Sequence, residues 1–171
     1  MGTFETRFTI PDLTAERNYL PISSVVLSNQ RENLKSAVAS AERDKKLLEA
    51  NPLVQDGEKL VPSVTRVFRT DQEMYVYVEA YQPAAQSTEP LIASVSFFRG
   101  GQKAFETEPL KVAEGLNPKT KAVPIRFSLP LSKLTPGRYT CQVSVLNPTA
   151  RKFAFWRALV VVIPKLAENG A

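Results

Sequence analysis

Histidine is absent from the 171 residues, and cysteine occurs once, at position 141. Without histidine there is no Ser-His-Asp triad, no Cys-His pair, no histidine-bearing zinc site and no imidazole pH switch. One cysteine excludes an internal disulfide and any cysteine-rich metal cluster. Long apolar runs are missing as well. The longest uninterrupted stretch, residues 158–163, is strand-sized and far below the 18 or so residues that span a bilayer, so no membrane insertion is expected. The N-terminal residues Met1 to Arg7 contain no apolar signal region. Glycine is sparse, with 7 residues against 13 prolines, which suits short elements ended by fixed turns more than flexible linkers.

What is present is a soluble composition: 43% hydrophobic, 23% charged, and a formal charge of +5 from 22 Lys and Arg against 17 Asp and Glu. A chain of this mass buries roughly 70% of its unfolded surface, enough for one core without staples. One domain covering residues 1–171 is expected. The basic excess points to nucleic acid only where it clusters, and here it does not. Asp44 dilutes the run from Arg43 to Lys46, and aromatic residues separate Lys152 from Arg157. No nucleic-acid partner is expected. The chain reads as strand almost from its first residue, which suggests a domain taken from a larger protein with Met1 as an added initiator.

Alternation over short runs, punctuated by proline and glycine, is the dominant pattern. Phe4, Thr6, Phe8 and Ile10 alternate with Glu5, Arg7 and Thr9. Further strands are predicted over 20–28, 64–69, 74–81, 91–99, 102–108, 123–129, 137–146 and 153–163. Gly100-Gly101 supplies the positive φ of a primed hairpin turn. Eight or nine short strands with turn signals between them predict an all-β immunoglobulin-like or fibronectin-like sandwich. Residues 29–50 break the pattern, with Ala, Glu, Lys and Leu dominating. They read either as a short helix within 33–49, ended by Asn51-Pro52, or as an irregular insertion loop.

The sharpest local signature is Leu134-Thr-Pro-Gly-Arg-Tyr-Thr-Cys-Gln-Val143. Pro136-Gly137 makes a corner, and Tyr139 enters a strand whose inward set is Tyr139, Cys141, Val143 and Val145. In immunoglobulin-like sandwiches a tyrosine so placed buries its ring and bonds backbone with its hydroxyl. Cys141, among inward residues, reads as an inert buried thiol, since reactive thiols need electropositive, partly exposed surroundings. On the last strand one face carries Phe153, Phe155, Leu159 and Val161, the other Ala154, Trp156, Ala158 and Val160. Both being apolar, the strand reads as covered on both sides, with an inter-domain contact or a stacking platform as the other options. Tyr75, Tyr77 and Tyr81 fall on the polar-looking face of their strand, where they pack across strands or serve surface recognition.

Chemistry is harder to find. Asp56 with Glu58, Asp71 with Glu73, and Glu106 with Glu108 share strand faces at i, i+2, a spacing that could serve calcium or glycoside chemistry. Each pair lies at a turn or strand end, where solvated carboxylates are normal, and no EF-hand spacing occurs. No phosphate loop, serine elbow or acylation motif stands out. No metal, cofactor or catalytic residue is assigned, and the chain is not expected to be an enzyme.

Several segments together resemble the C-terminal region of VWFA-related proteins of acidobacterial type, which carry a von Willebrand factor type A domain. They are Gly2-Thr-Phe-Glu-Thr-Arg-Phe-Thr-Ile-Pro-Asp-Leu13, Leu20-Pro-Ile-Ser-Ser-Val-Val-Leu-Ser28 and Asn51-Pro-Leu-Val-Gln-Asp-Gly57. The likeness continues through Pro62-Ser-Val-Thr-Arg-Val-Phe68, Met74-Tyr-Val-Tyr77, Phe98-Arg-Gly-Gly-Gln-Lys-Ala-Phe-Glu106, Pro124-Ile-Arg-Phe-Ser-Leu-Pro-Leu131 and the Pro-Gly-Arg-Tyr corner. In that family the type A domain carries an Asp-x-Ser-x-Ser metal-adhesion motif. None of Asp12, Asp44, Asp56 or Asp71 begins one, so metal-dependent adhesion does not carry over. The resemblance implies an accessory module of an exported or envelope protein, extracellular or in the cell envelope. Its expected partner is another protein or the adjacent type A domain. The expected contact surface is Tyr75, Tyr77 and Tyr81 with Arg43, Lys45 and Lys46 of the insertion. The alternative is a carbohydrate-binding module using exposed aromatics, Trp156 or the tyrosines.

Overall fold

The computed structural model describes residues 5, 18–34 and 51–166. Eleven strands run in chain order: β1 (Val26–Asn33), β2 (Val54–Gln55), β3 (Glu58–Pro62), β4 (Val67–Arg69), β5 (Glu73–Tyr81), β6 (Leu91–Arg99), β7 (Gln102–Glu106), β8 (Leu110–Val112), β9 (Ala122–Pro130), β10 (Gly137–Asn147) and β11 (Lys152–Ile163). They form a five-stranded sheet in the order β2-β3-β1-β5-β9 and a six-stranded sheet in the order β4-β11-β10-β6-β7, with β8 also on β6. Pairing is antiparallel except between β4 and β11. The chain crosses to the six-stranded sheet for β4 and back for β5, crosses again from β5 to β6, returns from β8 to β9, and crosses once more from β9 to β10. β5 and β9 therefore face β6, β10 and β11 as the B, E, C, F and G strands of an immunoglobulin fold do. The chain is an all-β, immunoglobulin-like sandwich.

Period-two alternation places the core. Met74, Val76, Val78 and Ala80 of β5 and Val123, Ile125 and Leu129 of β9 meet Val95 and Phe97 of β6 and Tyr139, Cys141, Val143 and Val145 of β10. All of these are fully or almost fully buried. Each branched aliphatic side chain so removed from water contributes about 1.5–3 kcal/mol. Register is tightly specified in such a sheet, because slipping by one residue would turn the whole apolar set outward.

The Gly100-Gly101 turn takes φ values of 56° and 82°, as a primed hairpin needs. A second hairpin of the same kind, absent from the sequence expectation, joins β2 to β3 through Asp56 (φ 52°) and Gly57 (φ 79°). The strand expected over 20–28 is displaced. Residues 20–25 form no ladder: they meet β5 at an isolated bridge between Ile22 and Ala80 and β11 through Leu20 N, which donates to Phe153 O at 3.3 Å, and the ladder begins at Val26. It then continues through Asn33, five residues into the stretch read as an insertion, paired with β3. A bulge at Ser28 allows this: its buried hydroxyl donates to the carbonyls of Gln30 or Val61. The polar run Asn29-Gln-Arg-Glu-Asn33 shows no alternation because this end of the strand is solvent-exposed on both faces. Residues 35–50 and the alternating run 4–10 lie outside the described residues, Glu5 excepted.

Candidate interaction surface

Tyr75, Tyr77 and Tyr81 do share the outer face of β5, and each is already engaged. Tyr77 is only 3% exposed. Its hydroxyl donates to Glu79 Oε1 at 2.8 Å, and the Tyr81 hydroxyl donates to Glu79 Oε2 at 3.0 Å. One carboxylate thus ties two phenols. Burial, and then that carboxylate, pushes both phenols above their ordinary range, Tyr81 to about 12. The Arg126 guanidinium lies 4.9 Å from the Tyr77 ring, and Arg31 lies 4.0 Å from the Tyr75 ring while pairing with Glu58 at 3.3 Å. Tyr75 and Arg31 border an open cleft of about 410 Å³ with Asp56, Glu58, Arg126 and Ser128. Cation–π contacts of this kind hold the Tyr75 and Tyr77 rings in place; Tyr75 and Tyr81 are half-buried, and Tyr77 is hidden. Arg43, Lys45 and Lys46 lie outside the described residues.

The corner residues fall at the start of β10. The Tyr139 ring is 1% exposed, packs edge-on against Phe97 at 6.3 Å, and its hydroxyl donates to the Thr135 carbonyl at 2.7 Å. Pro136 and Gly137 turn the chain between those partners. The space left by glycine is taken by Arg99, whose Cζ would lie 3.1 Å from a Cβ there. Arg99 Nη1 in turn donates to Thr135 Oγ1 at 3.2 Å. Cys141 is fully buried two residues on, and burial raises its thiol to about 12. The thiolate that would do chemistry is absent at neutral pH.

The reading of β11 as covered on both sides needs correction. Its even positions do face the core: Val160 and Val162 are buried, and Ala154 and Trp156 pack partly against it. Arg66 lies 5.8 Å from the Trp156 ring. The odd positions are open, with Phe153 62% exposed, Phe155 56% and Leu159 57%. Leu146, opposite Phe153 on β10, is 42% exposed and extends the patch. No third layer covers this face among the described residues. Alternation located the two faces of β11 correctly, but hydrophobicity alone could not say that only one has a sheet over it.

Acid-base and metal chemistry find no assembled setting among the described residues. Asp71 holds Arg69 at 2.9 Å, and Glu106 holds Lys103 at 2.6 Å and the Ser96 hydroxyl at 2.7 Å. Those hydrogen bonds lower both carboxyls below their usual range. Among the described residues no three Cys, Asp or Glu side chains converge as a metal would require.

No family model matches the chain, and no curated protein does. Among solved structures it is similar to the CARDB domain of the PF1109 protein from Pyrococcus furiosus, in complex with di-metal ions. The identity is 9% over 91% of this chain and 100% of that one, with a TM-score of 0.34. So distant a likeness says nothing about metals or role here.

Proposed function

We propose that this domain is a non-catalytic module that makes protein contacts, holding a neighbouring domain or partner in a larger exported protein of the VWFA-related type it resembles. The observation that carries this is the open aromatic face of β11 and β10. Phe153, Phe155, Leu159 and Leu146 stand together on a regular sheet face, more than two-fifths exposed each. An apolar cluster on a strand face otherwise bound for water marks a contact site. Aromatic residues are also what interface centres are enriched in. This face, more than the tied tyrosines of β5, is the proposed contact surface. The type A domain expected beside this region is the proposed neighbour.

The carbohydrate alternative draws less support. Trp156 points toward the core under Arg66, and Tyr77 and Tyr81 spend their hydroxyls on Glu79. The test is Phe153→Ser with Phe155→Ser in the longer protein, read as co-purification of the partner or protection of the neighbouring domain from proteolysis. Loss of either with an unchanged unfolding midpoint supports the reading. Full retention of both would contradict it.

A further inference from the structure

The edge of β11 offers main-chain hydrogen bonds that nothing among the described residues uses. On its side away from β10, Phe153 O accepts from Leu20 N at 3.3 Å, and Val161 N donates to Arg66 O at 3.0 Å. A strand residue sends its N–H and C=O to the same side, and successive residues alternate. Phe155, Arg157 and Leu159 therefore aim at that same edge. β4 reaches β11 only at Val161, Val162 and Ile163, so among the described residues no strand covers those three positions. Eight steps of ~3.4 Å separate the two occupied points, a window of about 27 Å. Natural edges of this length are usually blunted by charge, proline or a covering segment. This one is lined on its outer face by Phe153, Phe155 and Leu159, with the single charge of Arg157 between the last two.

We propose that β11 is a strand-addition site, on which an extended segment of the protein partner pairs with residues 155–159 and continues the six-stranded sheet. The proposal rests on the protein-contact reading above and specifies how the contact is made. Side chains at i, i+2 and i+4 of an added strand lie beside Phe155, Arg157 and Leu159 on the outer face. Arg157 is exposed, bonds Gln142 Oε1 at 2.6 Å and joins no ion pair among the described residues. Arg66, at the far end of the window, joins none either. The matching partner segment reads apolar-x-acidic-x-apolar, its carboxylate beside Arg157. A second copy of β11 centred on this window would set Arg157 against Arg157, a like-charge pair that destabilises. Main-chain bonds supply affinity in such complexes, and the alternating side chains supply selectivity.

The test is amide hydrogen exchange followed by NMR on the full chain, with the peptide acetyl-Thr-Val-Thr-Glu-Thr-Val-Thr-amide as probe. In the free chain the amides of Phe155, Arg157 and Leu159 should exchange fast while those of Trp156 and Ala158, bonded to β10, are protected. Millimolar peptide should slow the three edge amides at least tenfold. Arg157→Glu should weaken binding about tenfold, and replacing the peptide's Glu by Lys should restore it. Leu159→Pro removes an edge donor and no ladder bond to β10, and should abolish protection. Peptide that shifts the Phe153 and Phe155 rings without protecting the amides would overturn strand addition and leave the protein-contact reading standing. No binding would also overturn it, the Phe153→Ser/Phe155→Ser test deciding the wider reading separately. Amides already slow in the free chain would overturn it too: concentration-independent slowing means the chain covers its own edge, and concentration-dependent slowing means a second copy does.

Discussion

The Tyr139 hydroxyl donates to the Thr135 carbonyl at 2.7 Å across the Pro136-Gly137 corner, closing the entry to β10 from inside the core. Thr135 Oγ1 lies 3.1 Å from the same oxygen, so the phenol has two neighbours in a site with 1% exposure. Tyr139→Phe keeps the ring and removes its bond to the carbonyl of Thr135, an exposed residue. It should cost about 1 kcal/mol. Urea unfolding should show a lower midpoint at unchanged slope, and an unmoved midpoint would count against the corner.

Cys141 should be silent in the folded protein. With its thiol raised to about 12 by burial, a negligible fraction is thiolate at pH 8. An aromatic disulfide reagent should react only on the timescale of unfolding, and fully in denaturant. Prompt stoichiometric reaction of the native protein at pH 8 would show that the β10 core opens readily.

A polar knot under the β5–β6 connection should matter more than its solvent-side position suggests. The Gln82 amide exchanges two hydrogen bonds with the Glu89 main chain, 2.7 Å and 3.0 Å, and Asn147 Nδ2 donates to Glu89 Oε2 at 2.6 Å. Asn147 Oδ1 also accepts from Ala150 N at 2.9 Å, shaping the β10–β11 turn. Both amide residues are almost fully buried. Asn147→Ala leaves that network half-satisfied and should destabilise by about 1–3 kcal/mol in a denaturant melt.

Tyr77 and Tyr81 give a pH dependence on the alkaline side. Their folded phenols ionise above the ordinary value near 10, where an unfolded tyrosine would lose its proton. Below pH ~10 both states are protonated and the stabilisation is fully present. As pH rises past it, the unfolded state loses protons first, so stability falls progressively through the folded pKa values. A 295 nm titration should show two late-titrating phenols whose ionisation coincides with loss of structure. Smooth ionisation of every tyrosine near pH 10 in a folded protein would contradict the Glu79 pairing.

The sandwich was legible because burial on one face writes period two into β5, β6, β9 and β10, and because Gly100-Gly101 marks a turn. Hydrophobicity did not find β3 or the second half of β1. Asn29-Gln-Arg-Glu-Asn33 is mostly solvent-exposed and Glu58-Lys-Leu-Val-Pro62 is at most half-buried, so neither carries a fully buried apolar face. Asp56-Gly57 is itself a hairpin signal, since both residues take positive φ as a primed turn needs. The tyrosine face was placed on the correct side of β5, but the sequence cannot show that Glu79 and Arg126 occupy it. For β11 the converse holds: Phe153, Phe155 and Leu159 look like core until the sheet order shows nothing stacked on them.

The proposed contact with a partner is the β11 face, and not the β5 tyrosine face. A photo-reactive phenylalanine placed at position 155, and separately at Ser128 beside Tyr75, tests it most directly in the longer protein in its native setting. The expected result is a discrete protein adduct from position 155 and none from position 128. Adducts from 128 alone would move the contact to the tyrosine face, and adducts from neither would contradict the interaction role.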